Sequence, residues 1–405
     1  MPTAVFPSHA DPQVSQVILA GIAGSMMTVV SIVFAILLMT LTLASMQFSP
    51  RIIVSFSQDR VTQWTLGVFL GTFSYCMAAL PAAHSLPYPF APVAAVMGAM
   101  VLALTCVGWL LFFIHHISQA ISVNHIVDKI AKETEGVIDE MMPWPHRLDG
   151  LKHAEPLRPN PSEVAVSSHE SGYIRFIDTQ RLVAIAKHYH VSIRVLRRVG
   201  HFVPAGIPLM MVSKGNRLPP DGTAGLLAAF DSGPTRTLQQ DVEFGVLQIV
   251  DIALKAISPA VNDPSTAISC VDQLSRVLIH FASRQPPDEL LYDPPGVVRA
   301  SVGWIHFEHL LDAAFEQIRM YSKTDVAVSL RLLRALSDIA ASSPDPEFRR
   351  ILVERGMRTV AGCAEKLGQD ELRELRVRQA ALETFTVISQ SSSRQLTPDG
   401  SSSNA

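Results

Sequence analysis

The first third of this sequence has almost no charge. Of the 69 Asp, Glu, Lys and Arg residues in a chain of 405, only Asp11, Arg51, Asp59 and Arg60 stand before Asp128. None lies between Asp11 and Arg51, and none between Arg60 and Asp128. Uncharged apolar runs longer than about 18 residues exclude ordinary core helices and read as membrane spans. Cysteine is scarce too. Cys76 and Cys106 fall in apolar runs, Cys270 and Cys363 stand alone, and there is no CxxC spacing. That excludes a disulfide framework or a zinc ribbon and fits a reducing compartment. The opening "MPTAVFPSHADPQ" lacks the basic start of a signal peptide. A net charge of −3 offers no basic excess for nucleic acid.

Val17 to Met46 is one apolar run, about 45 Å long as a helix at about 1.5 Å per residue. It exceeds a hydrocarbon core of about 30 Å and should tilt or protrude. The second uncharged region splits at "HSLPYPFAP", where Pro87, Pro89 and Pro92 punctuate a turn, leaving spans near Gln63–Ala82 and Ala91–Ile114. Arg51 and Arg60 are the basic residues flanking these spans, and Lys129 and Lys132 open the charged part. They set the topology. The positive-inside rule places the Ala44–Trp64 loop in the cytoplasm, the N-terminus and "HSLPYPFAP" outside, and everything after Ile114 inside. Ser25, Thr28, Ser31, Thr40, Thr42 and Ser45 line the first helix, and Gly21, Gly24, Gly67, Gly71 and Gly98 give small faces. Such residues suit close helix packing or a polar pathway; no ionisable residue within a span marks an ion or proton route.

The expected fold is mostly α: a three-span transmembrane part, a small β module and a cytoplasmic helical domain. Residues 1–127 form the transmembrane part, with spans near 17–46, 63–82 and 91–114 and the start of a stalk. Residues 128–167 are a stalk and proline-rich linker, 168–213 the β module, and 214–236 a linker. Residues 237–390 are the helical domain and 391–405 a disordered tail. Within the β module, "GYIRFID" and "HVSIRVLRR" alternate as strands around the helical "TQRLVAIAKHY". "VGHFVPAGIPLMMV" reads as a hairpin over Gly200–Val212, resembling half of a barrel-sandwich hybrid as in biotinyl and lipoyl carriers. No lysine stands in "RVGHFVPAGIP" to carry such a group, so a structural or docking module is expected, with no cofactor. Arg194, Arg197 and Arg198 read as a solvated strand edge or a contact for anionic headgroups.

"DVEFGVLQIVDIALKAIS" has helical spacing and leads through "SPAVNDPSTAISC" into a second helix, with Asp263 before Pro264 as N-cap. Asn262 suits a left-handed turn. Arg236, Asp241, Asp251, Lys255, Asn262 and Asp263 give this helical hairpin unusual polar density and form the candidate ligand-binding set. Antiparallel packing would bring Lys255, Ser258, Asn262 and Asp263 to one end. Further amphipathic helices are expected over Gly303–Tyr321, Asp325–Ala341, Glu347–Leu367 and Asp370–Ser389. His306, His309, Asp312 and Glu316 share a helix face, but without a second such helix no metal site is read there. Neither a catalytic residue pairing nor a phosphate loop is found.

The stretches "ASMQFSPRIIVSFSQDRVTQWTLGVFLGTFSYC", "FFIHHISQAISV", "SGYIRFID", "GHFVPAGIPL", "RTLQQDVEFGVLQIVDIALKAISPAVNDPSTAISCVDQL" and "AAFEQIRMYSKTDVAV" occur in this order. Together they resemble the DUF2254 family of predicted bacterial membrane proteins, whose function is uncharacterised. Members usually carry one more hydrophobic span ahead of the first one read here. The resemblance implies a multi-pass protein of the bacterial inner membrane and supplies no catalytic residues. Two readings of function remain: a membrane-anchored cytoplasmic binding or scaffold module, or an oligomeric channel lined by the first helix. An enzyme ranks behind both. The implied partners are the lipid bilayer, further copies of the chain, and an unidentified cytoplasmic ligand or protein.

Overall fold

The computed structural model describes residues 12–47, 60–83, 92–120, 122–142, 162–293, 296–343 and 345–394. Arg51, most of "HSLPYPFAP", the proline-rich linker and the end of the tail lie outside them. The chain is mostly helical and divides into two compact units, Met1–Ile126 and Val127–Ala405.

Among the described residues the first unit holds three α-helices: α1 (Pro12–Gln47), α2 (Arg60–Ala79) and α3 (Val93–Ala120). All three are long and apolar enough to cross a membrane. Their apolar residues point mostly outward, as lipid-facing helices require; Leu104 is 73% exposed and Leu111 66%. Where they meet, Met26, Val33, Phe69, Cys106 and Phe113 pack into one buried apolar cluster, and a few polar groups add directed contacts. Trp109 Nε1 donates to Thr65 Oγ1 at 3.0 Å, and Tyr75 OH donates to the Ala95 carbonyl at 3.2 Å. The Tyr75 hydroxyl lies 2.5 Å from where a Cβ on Gly98 would stand, so the glycine makes room for this contact.

Helix α4 (Val123–Met141) runs across the unit boundary, with all but its first four residues in the second unit. The sequence reading made this stretch a stalk. Its apolar stripe of Ile126, Val127, Ile130, Ala131, Val137 and Ile138 is buried, which a helix standing clear in water would not permit. Two sheets follow. One runs β1 (Glu163–Ser167), β5 (Pro208–Ser213), β3 (Ser192–Val195), β8 (Val297–Ser301) and β7 (Leu290–Asp293) in spatial order. Its pairings are antiparallel except the parallel β3–β8 pair. The other is β4 (Phe202–Val203), β2 (Gly172–Ile177) and β6 (Phe230–Gly233). Two helices accompany the strands, α5 (Thr179–His188) and α6 (Pro220–Leu227). Ile174, Ile177, Leu182, Ile193, Met210 and Leu226 are fully buried in their shared core.

The expected hairpin over Gly200–Val212 is not formed. β4 pairs with β2, whereas β5 pairs with β1 and β3. Gly200 (φ +86°) and Gly206 (φ +84°) take the left-handed conformation open to glycine and carry the chain from one sheet to the other. Local alternation identified strands but carried no information on their partners. Strands β1, β6, β7 and β8, outside the 168–213 stretch, complete both sheets.

The remaining helices are α7 (Val242–Ala256), α8 (Pro264–Ala282), α9 (Phe307–Tyr321), α10 (Val326–Ser342), α11 (Pro346–Cys363) and α12 (Gln369–Arg394). Aspartates cap α7, α8, α10 and α11. Their carboxylates accept from backbone N–H groups that have no partner inside the helix. α7 is central, with Val246, Ile249, Val250, Ile252 and Ala253 at 0–2% exposure. Each large side chain buried this way contributes about 1.5–3 kcal/mol. α4 crosses α7 at Gly245, where an added Cβ would stand 2.0 Å from Thr134 Oγ1.

Candidate functional site

The sequence placed six polar residues about α7 and α8, and the structure puts five of them at the two ends of α7 and Asp251 partway along it. Fifteen residues separate those ends by about 22 Å at about 1.5 Å per residue.

Arg236 and Asp241 stand at the N-terminal end. Arg236 donates from Nε to Asp241 Oδ2 and from Nη2 to Asp241 Oδ1, both at 2.7 Å, and from Nη2 to Glu243 Oε2 at 2.9 Å. Asp241 also caps α7 by accepting from Phe244 N at 3.0 Å. The Arg236 guanidinium lies 5.6 Å from the Phe244 ring centroid, a cation–π distance. Three residues outside the predicted set complete the cluster. Arg198 Nη1 donates to Glu243 Oε2 at 3.1 Å, and His309 Nε2 lies 2.9 Å from Glu243 Oε1 and 3.1 Å from Arg198 Nη2. Two arginines thus face two carboxylates in a largely water-excluded place.

Burial raises the Glu243 carboxyl, but hydrogen bonds and charge from Arg198 and Arg236 outweigh it and bring the group down to about 2. Burial lowers the Arg236 guanidinium, and its bonds to Asp241 and Glu243 reverse that and raise it. Burial and the positive charge of Arg198 push His201 down, favouring its neutral form. Gly200 makes the cluster possible. A Cβ there would stand 2.5 Å from Asp241 Oδ2 and 2.6 Å from Arg236 Nη2. A cleft beside the cluster is lined by Met141, Arg198, Gln240, Glu243, Phe281 and Trp304 among others, with about 30 Å³ of free volume. That holds a water or two but not a metabolite.

Lys255, Asn262 and Asp263 stand at the C-terminal end, as antiparallel packing of α7 and α8 requires. The turn closes through Asn262 N to the Ser258 carbonyl at 2.9 Å and Asp263 N to the Ala256 carbonyl at 2.8 Å. Asn262 is left-handed, with φ +48°. Asp263 accepts from Thr266 N at 3.1 Å and Thr266 Oγ1 at 2.6 Å. These bonds, the hydroxyl first, hold its carboxyl below the usual range. Val261 is 53% exposed, so the turn presents an apolar residue beside Asn262. Asp251 lies partway along α7, half-buried.

Several other charged residues are paired elsewhere. Arg194 pairs with Glu163 at 2.6 Å and Arg355 with Asp312 at 2.6 Å, while Glu316 is held by Arg319. Among the described residues no group of three His, Cys, Asp or Glu side chains could hold a metal ion. In the first unit, Ser25, Thr28, Ser31, Thr40 and Thr42 each donate to the carbonyl four residues earlier in α1. Arg60 is exposed at the start of α2.

The family model described as "Predicted membrane protein (DUF2254)" matches residues 2–338. Uncharacterised proteins of Mycobacterium bovis and Mycobacterium tuberculosis are each 32% identical over 377 residues, covering 92% of this chain and 72% of the relative. No solved structure matches the chain. By the family match and by these relatives, the chain belongs to the DUF2254 family of predicted membrane proteins.

Proposed function

We propose that this protein is a membrane-anchored binding or scaffold module of the bacterial inner membrane, with residues 127–405 in the cytoplasm. The observation that carries this reading lies in the spans. The hydroxyls of α1 are bonded to their own helix backbone, the arrangement by which Ser and Thr sit in lipid without a water-filled path. Folded, charge-rich structure belongs to the second unit, and docking is assigned there to the α7–α8 turn around Lys255, Asn262 and Asp263. The Arg236–Asp241–Glu243 cluster at the other end is taken as the support that holds α7 in place. The β-rich part serves as a structural or docking module.

A second reading is an oligomeric channel. It is favoured by one feature: Gly21, Gly24, Ser25, Thr28 and Ser31 all lie on exposed surface of α1, and among the described residues no side or main chain covers the two glycines. Further copies packed on this face would line it with small polar groups. Cysteine scanning separates the two readings. With Ser25→Cys, Thr28→Cys and Ser31→Cys in reconstituted vesicles, an anchor predicts no reaction with a water-soluble maleimide at any of them. Reaction at all three, blocked by a permeating ion, would establish the channel.

A further inference from the structure

We draw no further inference here: the strongest candidate, the surface patch of exposed apolar side chains Leu196, Phe202 and Ile207 on the β-rich part (39%, 52% and 38% exposed), carries nothing because nothing in the structure shows what covers it.

Discussion

Arg236 grips Asp241 through two parallel hydrogen bonds of 2.7 Å, and the same carboxylate caps α7. One aspartate therefore both starts the central helix and neutralises a buried arginine. Asp241→Ala should cost about 3–5 kcal/mol, because it leaves Arg236 short of a partner in a water-poor site. Asp263→Ala removes only a half-buried cap and should cost about 0.5–2 kcal/mol. Denaturant unfolding of the purified protein in detergent compares them, and equal losses would contradict the assigned roles.

Glu243 gives the cluster a pH signature. Its carboxyl titrates near 2 in the folded chain against an ordinary 4.5. A lowered folded value means the stabilisation is fully present above pH 4.5 and is lost as pH falls toward 2. Glu243→Gln should be less stable than wild type at pH 7, and the gap should close across that acid window. Melting curves at stepped pH would show this. A gap that stays constant down to pH 2 would remove the charge from the explanation.

Two left-handed glycines distinguish backbone strain from crowding. Gly206 faces open space, whereas a Cβ on Gly200 would strike Asp241 and Arg236. Gly206→Ala should cost about 1–2 kcal/mol from its φ alone. Gly200→Ala carries the same strain and also displaces the ion pair, so its loss should be the larger by about 2 kcal/mol or more. Equal melting temperatures for the two variants would mean the cluster tolerates displacement.

The docking assignment rests on Lys255. Lys255→Met should reduce co-purification of any bound metabolite, lipid or protein at least tenfold while leaving the melting temperature within a degree or two of wild type. Lys214→Met, on a turn of the β-rich part, should change neither. A Lys255→Met protein that loses stability and keeps its bound material would make the lysine structural.

The spans were legible because burial in lipid forbids charge over long runs, a property that composition records directly. The Asp263 cap was legible for a similar reason, since an aspartate before a proline and an apolar run acts within four residues. Asp263 and Thr266 satisfy each other with no help from elsewhere in the chain. Arg198, Glu243 and His309 were missed because their contacts join residues far apart: Arg198 meets Glu243 across 45 positions and His309 across 111. No local pattern encodes such a meeting. The β7–β8 pair was missed although the sequence "LLYDPPGVVRAS" carries short apolar runs on either side of Pro-Pro-Gly, the signal that would have found it. Lys255 and Arg236 looked like one site because both stand close to the ends of α7 in sequence. The helix's own length separates them.

Orientation tests the central claim most directly. Reporters fused after Asp139 and inserted between Ser85 and Pro87 would be read in intact cells with a cytoplasm-active and an export-active enzyme. The account predicts cytoplasmic activity at Asp139 and external activity between Ser85 and Pro87, weakened when Arg51 and Arg60 are both replaced by glutamine. External activity at Asp139 with cytoplasmic activity between Ser85 and Pro87 would contradict a cytoplasmic binding module.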